Sequence, residues 1–197
     1  MTDARTLSVY AERAQDYSEI HHGAATAGRL AAFIAALPRC GAALDLGCGP
    51  GWAAAEMRAM GLAVTALDAC PEMARVAMER YGLAVTVAPF EALDARDAFD
   101  GVWAHFSLVH APRAALPRHL AAIRSALRPG GLLAVAMKLG DGAGRDRLGR
   151  LYTYVSVADF RDLLGAAGFT LESEEVAPVT GFDGTPDESG YFRARRD

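Results

Sequence analysis

The chain has 197 residues, 52% of them apolar and 22% charged, with a formal net charge of −4. That length suits one domain able to bury roughly 70% of its unfolded surface. The acidic balance gives no general attraction to phosphate, so nucleic acid is not an expected partner, and no apolar run approaches the roughly 20 residues that span a bilayer. No signal-peptide pattern opens the sequence, and Cys40, Cys48 and Cys70 are an odd set without metal-ligand spacing. Reduced thiols in the cytoplasm are therefore expected, with no metal site and no membrane association. Lys138 is the only lysine, a bias that reads as genome composition and supports no functional inference.

In chain order, Tyr10, Ala14 and Tyr17 recur at i, i+4 and i+7 and predict a helix over about 7–17. Core packing is the default use of such a stripe. Leu30, Phe33, Ile34 and Leu37 predict a second helix, stopped by Pro38. An apolar run at 42–46 then reads as a buried strand, followed by glycines at three alternate positions, Gly47, Gly49 and Gly51. Glycine takes positive φ and lets a ligand approach bare backbone. Asp45 sits within the strand end, where a carboxylate is costly unless partnered, which suits a ligand carrying a cation such as an amino-acid ammonium group.

The run 62–67 predicts the next strand and ends on Asp68. An acid about 20 residues past a glycine turn is placed to accept both hydroxyls of a ribose. It is equally placed to cap the helix that Pro71 would open, and both roles are compatible. Further strands are expected at 83–87, from Phe99, from Leu127 and near the C-terminus. Leu116, Leu120, Ile123 and Leu127 predict a helix stopping at Pro129-Gly130-Gly131, and Phe160, Leu163, Leu164 and Ala167 predict another, opened by Ser156 with Asp159 three positions on. Strands alternating with helices from residue 42 onward indicate a parallel sheet covered on both faces. Between strands, 138–150 holds four glycines and alternating charge, and is expected to be mobile: either a surface loop or a substrate lid. Tyr152 and Tyr154 follow with phenols that could face a substrate.

A dinucleotide fingerprint would read G-x-G-x-x-G. Here the third glycine, Gly51, comes one residue early and bulky Trp52 fills its place, which argues against a bound pyrophosphate. Asp45-x-Gly47-x-Gly49-x-Gly51 with Asp68 downstream instead resembles the motifs of class I S-adenosylmethionine-dependent methyltransferases of the small-molecule type. Ala88–Ala92, Phe99–His110, Leu127–Val135 and Tyr191–Arg195 resemble later segments of that family in the right order.

The resemblance implies a single-domain Rossmann-like α/β fold with a seven-stranded, mostly parallel sheet in the order 3-2-1-4-5-7-6, the last strand antiparallel. It implies an N-terminal helical flap region at 1–38, with His21-His22-Gly23 at its mouth, and a cofactor-binding core at 39–197. The implied cofactor is S-adenosyl-L-methionine. Asp45 and the turn (Gly47, Gly49, Gly51, with Cys48 as small filler) would hold its methionine end and Asp68 its ribose. Ala69, Met73, Phe90, Glu91, His105, Tyr10 and Tyr17 complete the implied set, Glu91 standing in for a displaced acid of the family's third motif.

A small-molecule methyl acceptor is the implied partner; oligomeric state is not readable. His105, His110 and Tyr152 are the candidate catalytic residues, His105 lying nearest the end of the fourth strand. Three other readings stand beside this one: a methyltransferase for RNA or protein, a cofactor-binding module without turnover, and, more remotely, a nicotinamide oxidoreductase. The absence of an Asn-Pro-Pro-Tyr-like run after strand four disfavours methylation of base or glutamine amino groups.

Overall fold

The computed structural model describes residues 3–20 and 22–197. Three helices come first, α1 (Ala4–Glu12), α2 (Ala14–Ser18) and α3 (Ala24–Ala35). Strands β1 (Ala42–Leu46), β2 (Ala63–Asp68), β3 (Thr86–Val87), β4 (Phe99–His105) and β5 (Leu127–Lys138) then alternate with helices α4 (Trp52–Ala59), α5 (Pro71–Tyr81) and α6 (Leu116–Ala126). A ribbon of β6 (Ala143–Arg145) and β7 (Leu151–Thr153) precedes α7 (Val157–Ala166), β8 (Phe169–Thr180) and β9 (Pro186–Arg196).

Seven strands form one sheet in the order β3-β2-β1-β4-β5-β9-β8. With the ribbon set apart, this is the Rossmann-like order expected from the sequence. β1 pairs in parallel with β2 and β4, and β4 with β5, while β9 runs antiparallel to both β5 and β8. Ala43, Leu44 and Leu46 are all buried because helices cover both faces, which is why β1 reads as a continuous apolar run. On one face Leu30 and Phe33 of α3 pack with Met57, Trp103 and Leu132; on the other, Leu120, Ile123, Phe160 and Phe192 pack with Val102 and Leu133.

The expected helix at 7–17 is two helices, broken at Arg13 (φ −114°). The break lets α2 turn so that Ala14 and Tyr17, together with Leu7 and Tyr10 of α1, pack against Cys70 and against Met73 and Val76 of α5. The helix expected to run to residue 127 and stop at Pro129 ends at Ala126. Leu127 already pairs with Phe99, and the Pro129-Gly130-Gly131 turn bulges out of the ladder before pairing resumes at Gly101 and Leu132. The segment expected to be mobile is folded: Ala143–Arg145 pairs with Leu151–Thr153, and the Gly140 amide donates to the Val155 carbonyl at 3.1 Å. As the sequence indicates, the Ser156 hydroxyl caps α7, accepting from the Asp159 amide at 3.0 Å.

Candidate active site

The glycine turn leaves the carboxyl end of β1, at the edge where open α/β sheets bind ligands. The Gly47 and Cys48 amides donate to the Leu67 carbonyl at 2.8 and 3.0 Å, tying the turn to β2. Gly47 has φ +74°, and a Cβ there would lie 2.3 Å from Cβ of Ser107, so only glycine fits. Gly49, at φ +53°, faces open space, with Tyr17 the nearest contact at 3.8 Å.

Asp68 ends β2 and serves two backbone donors, accepting from the Gly49 amide and from the Cys70 amide at the start of α5, each at 2.8 Å. Burial pushes its carboxyl up while those amides pull it down. Helix capping is thus part of what Asp68 does, and it also shapes the turn.

Beneath the turn lies a cavity of about 370 Å³, walled by α1, α2, the ends of β4 and β5, the β6–β7 ribbon and the β8–β9 turn. Asp45 lines it and is 3% exposed, yet its Oδ2 has no hydrogen-bond partner. Burial first, then the neighbouring charge of Asp68, pushes its carboxyl up to about 7. An orphaned buried carboxylate oxygen facing a cavity is the arrangement that an incoming ammonium group would complete.

The far end of the cavity has the opposite character. The His110 ring nitrogen Nδ1 lies 2.6 Å from the Leu151 carbonyl, an acceptor only, so Nδ1 carries the proton. Nε2 then accepts from the Tyr10 hydroxyl at 2.7 Å, and Nη1 of Arg150 donates to the same hydroxyl at 3.0 Å. Burial, reinforced by the charges of Arg150 and Lys138, holds the His110 imidazole down at about 4. Burial pushes the Tyr10 phenol well up.

Arg150 is 1% exposed; Nε and Nη2 both donate to Asp146 Oδ2, at 2.9 and 2.6 Å. Lys138, at the end of β5, is bonded to Asp187 of β9 and lies 3.9 Å from the centre of the Tyr152 ring. Lys138 and Arg150 line the cavity, whereas Asp146 and Asp187 do not. The cavity is therefore polarised, with carboxylates at the glycine turn and cations opposite.

His105 lies between. Its ring stacks on Trp103 (centroids 5.1 Å apart, 6° between planes), its Nε2 is enclosed without a partner, and burial holds it down at about 3. Beyond Trp103 and His105 a second cavity of about 420 Å³ opens between α3 and β8–β9, beside Arg29, which sits 3.5 Å over the Tyr191 ring.

Of the residues expected from the sequence, Tyr10, Tyr17, Asp45, Gly47, Cys48, Gly49, Asp68, Ala69, Met73, Phe90, His105, His110 and Tyr152 meet at the cavity. Gly51 and Glu91 do not line it. A Cβ on Gly51 would meet Leu83 at 2.7 Å and Ala77 at 3.0 Å, so its glycine serves close packing of α5 against the turn. Glu91 accepts from Arg118 at 3.0 Å. Tyr154 also lies off the cavity, and His21 lies outside the described residues, while His22 stacks on Trp52 at the mouth. Thr6, Ser107, Lys138, Arg150 and Phe182 line the cavity without having been singled out. The lone lysine was visible as an outlier in composition; nothing local marks Arg150.

Residues 43–131 match a family model described as a methyltransferase domain. The solved structure of a Burkholderia thailandensis 1,6-didemethyltoxoflavin-N1-methyltransferase, with bound 1,6-didemethyltoxoflavin and S-adenosylhomocysteine, superposes with a TM-score of 0.80. The match has 28% identity over 98% of this chain and 88% of that one. The chain is an S-adenosylmethionine-dependent methyltransferase.

The fold of this methyltransferase is also similar to that of an S-adenosylmethionine-dependent methyltransferase from Mesorhizobium loti (TM-score 0.67, 22% identity, 88% of this chain and 99% of that one). A Methanosarcina mazei structure likewise named gives a TM-score of 0.72 at 18% identity, over 81% of this chain and 94% of that one. No curated protein matches the sequence. S-adenosylmethionine is the cofactor of this methyltransferase, and among the described residues no helix is long and apolar enough to cross a membrane.

Proposed function

We propose that this methyltransferase acts on a small organic molecule held at the Tyr10–Tyr152 end of the cavity, with the cofactor along the glycine turn. The observation that carries the reading is the polarised cavity itself. Its volume of about 370 Å³ is in the small-molecule range, and its unpaired Asp45 oxygen fits the ammonium of the cofactor's methionine end. The neighbour that pairs 1,6-didemethyltoxoflavin with S-adenosylhomocysteine supports an acceptor of that scale. A net charge of −4 supports it over RNA.

In this reading Asp45 and the amides and bare backbone around Gly47, Cys48 and Gly49 hold the methionine end, and Asp68 accepts the ribose hydroxyls through its remaining lone pairs. Ala69, Met73, Phe90 and His105 wall the rest. Tyr10 and Tyr17, carried by α1 and α2, form a flap, and excluding water strengthens every charge interaction beneath it. When bound, the cofactor supplies a methyl group on positively charged sulfur. The protein supplies position: fixing acceptor and methyl carbon in line removes a large entropic term from the barrier.

His110 and Tyr152 shape the acceptor end, and His110 holds the Tyr10 hydroxyl in place. The three cysteines, all unpaired, support a cytoplasmic location. The test is calorimetry with S-adenosylhomocysteine, followed by detection of S-adenosylhomocysteine released from S-adenosylmethionine over a panel of heteroaromatic, phenolic and amine acceptors. Binding without release across the panel would favour a cofactor-binding module; binding of NADH in its place would end the reading.

A further inference from the structure

The cation end of the cavity has more charge than a neutral acceptor needs. Lys138 is 5% exposed and is the chain's only lysine. One of its three N–H groups reaches Asp187, the ammonium stands 3.9 Å from the Tyr152 ring centre, and no other acceptor in the described residues takes the remaining protons. A buried ammonium with spare donors facing a cavity is the counterpart of the Asp45 oxygen at the other end.

Arg150 reinforces it, its guanidinium carbon 5.3 Å from the Tyr152 ring centre and 5.6 Å from that of Phe182. Both carboxylates that pair with these cations, Asp146 and Asp187, are absent from the cavity lining, as is Asp183, which feels the charge of Lys138. Lys138 and Arg150 are thus the charged side chains that line this end of the cavity.

The same end lacks an available base. Both nitrogens of His110 are occupied, by the Leu151 carbonyl and the Tyr10 hydroxyl, and adjacent positive charge disfavours a second proton on its ring. Burial keeps the Tyr10 and Tyr152 phenols protonated. An acceptor that had to surrender a proton during methyl transfer would find no free base at this end, the unpartnered Nε2 of His105 lying between it and the glycine turn.

We infer that the methyl acceptor binds as an anion, the conjugate base of an acidic phenol or heteroaromatic N–H or O–H, with Lys138 as its specificity-determining contact and the Tyr152 ring against its plane. This deepens, and rests on, the small-molecule reading above. An anionic acceptor completes the reaction without a base: its lone pair forms the bond to the methyl carbon, the carbon–sulfur electron pair stays with sulfur, and no proton leaves. Arg150 acts through Tyr10 and Tyr152 as a positioning residue.

The probe is 4-nitrophenol, whose ionised form absorbs visibly, titrated against pH with the full-length protein, both with and without S-adenosylhomocysteine. An opposite charge within about 4–6 Å lowers an acid's pKa by roughly 1–3 pH units, so the bound phenol should ionise about one pH unit or more below the free phenol. Lys138→Met should abolish that drop and Lys138→Arg should keep it. Asp187→Asn, which frees the ammonium from its carboxylate without removing it, should deepen the drop. No binding of the probe, an unshifted or raised pKa, or the same drop in Lys138→Met would overturn the inference. Failure of S-adenosylhomocysteine to bind in parallel calorimetry would instead strike the functional reading, while the titration without it still reads the cation end.

Discussion

The Tyr10 hydroxyl lies 2.7 Å from Nε2 of His110, a hundred positions away in the chain, and joins the N-terminal helix to the short turn after β4. The latch continues outward: the Thr6 hydroxyl accepts from the Leu151 amide at 2.9 Å, and Asp3 pairs with Arg145 of the ribbon at 2.9 Å. The N-terminal helix and the ribbon are thus held together beside the cavity.

Tyr10→Phe tests the latch. It removes one hydroxyl that serves both His110 Nε2 and Arg150 Nη1, leaving two buried groups short of a partner, at a cost of about 1–3 kcal/mol. In a domain of this size that amounts to roughly 2–4 °C of melting temperature per kcal/mol. S-adenosylhomocysteine affinity should fall with it, read by calorimetry, because α1 no longer holds its place over the site. An unchanged melting temperature would show that the hydroxyl makes no net contribution.

Arg150 and Asp146 form an ion pair buried on both sides, at 2.6 Å. Arg150→Met strands the carboxylate and should cost about 3–5 kcal/mol by chemical denaturation, whereas Arg150→Met with Asp146→Asn should recover a large part of the loss. Equal destabilisation in the single and double variants would mean that packing of the guanidinium, and not its charge, holds the ribbon.

The two neighbouring glycines should separate folding from binding. Gly47→Ala places a Cβ 2.3 Å from Ser107 at φ +74°, so at least about 2 kcal/mol of stability should be lost. Gly49→Ala meets nothing closer than 3.8 Å and bears only the strain of φ +53°, about 1 kcal/mol, yet its methyl intrudes on the turn surface assigned to the cofactor. Thermal unfolding and calorimetry run side by side should therefore show the first variant failing mainly in stability and the second mainly in binding.

Asp45 makes the free protein pH-sensitive. Its folded pKa, about 7, lies above its ordinary 3.8, so between those values the native state holds more protons than the unfolded state. Stability must then fall as pH rises from about 4 to 7, by a total on the order of 4 kcal/mol from this group alone. Asp45→Asn should flatten that slope and leave the free protein more stable than wild type at pH 8. A wild-type denaturation profile rising through that window, with Asp45→Asn unchanged, would refute the assignment.

The positions of β1, β2, β4 and β5 were legible because each carries a short apolar run. The sheet order followed from the family resemblance, and the long, largely polar β8 and β9 left little signal of their own. The glycine turn was legible because backbone geometry at Gly47 and Gly49 demands a residue type. Gly51 shows the limit, since glycine required by a ligand and glycine required by Leu83 look alike in sequence.

The cation end was not legible. Arg150 and Asp146 sit four residues apart in a glycine-rich segment whose composition suggests a mobile loop, and their burial depends on pairing of β6 with β7 and on Tyr10, Tyr152 and Phe182 around the guanidinium. Lys138 stands out by rarity alone, and its role depends on Asp187 and Tyr152 from two other strands.

The central claim, that the glycine turn and Asp45 receive the positively charged end of S-adenosylmethionine, is tested most directly by S-adenosylhomocysteine calorimetry on wild type and Asp45→Asn at pH 8. A charge-assisted contact of about 1.5–3 kcal/mol predicts affinity roughly 10- to 100-fold weaker in the variant. Equal affinity in the two proteins would contradict it.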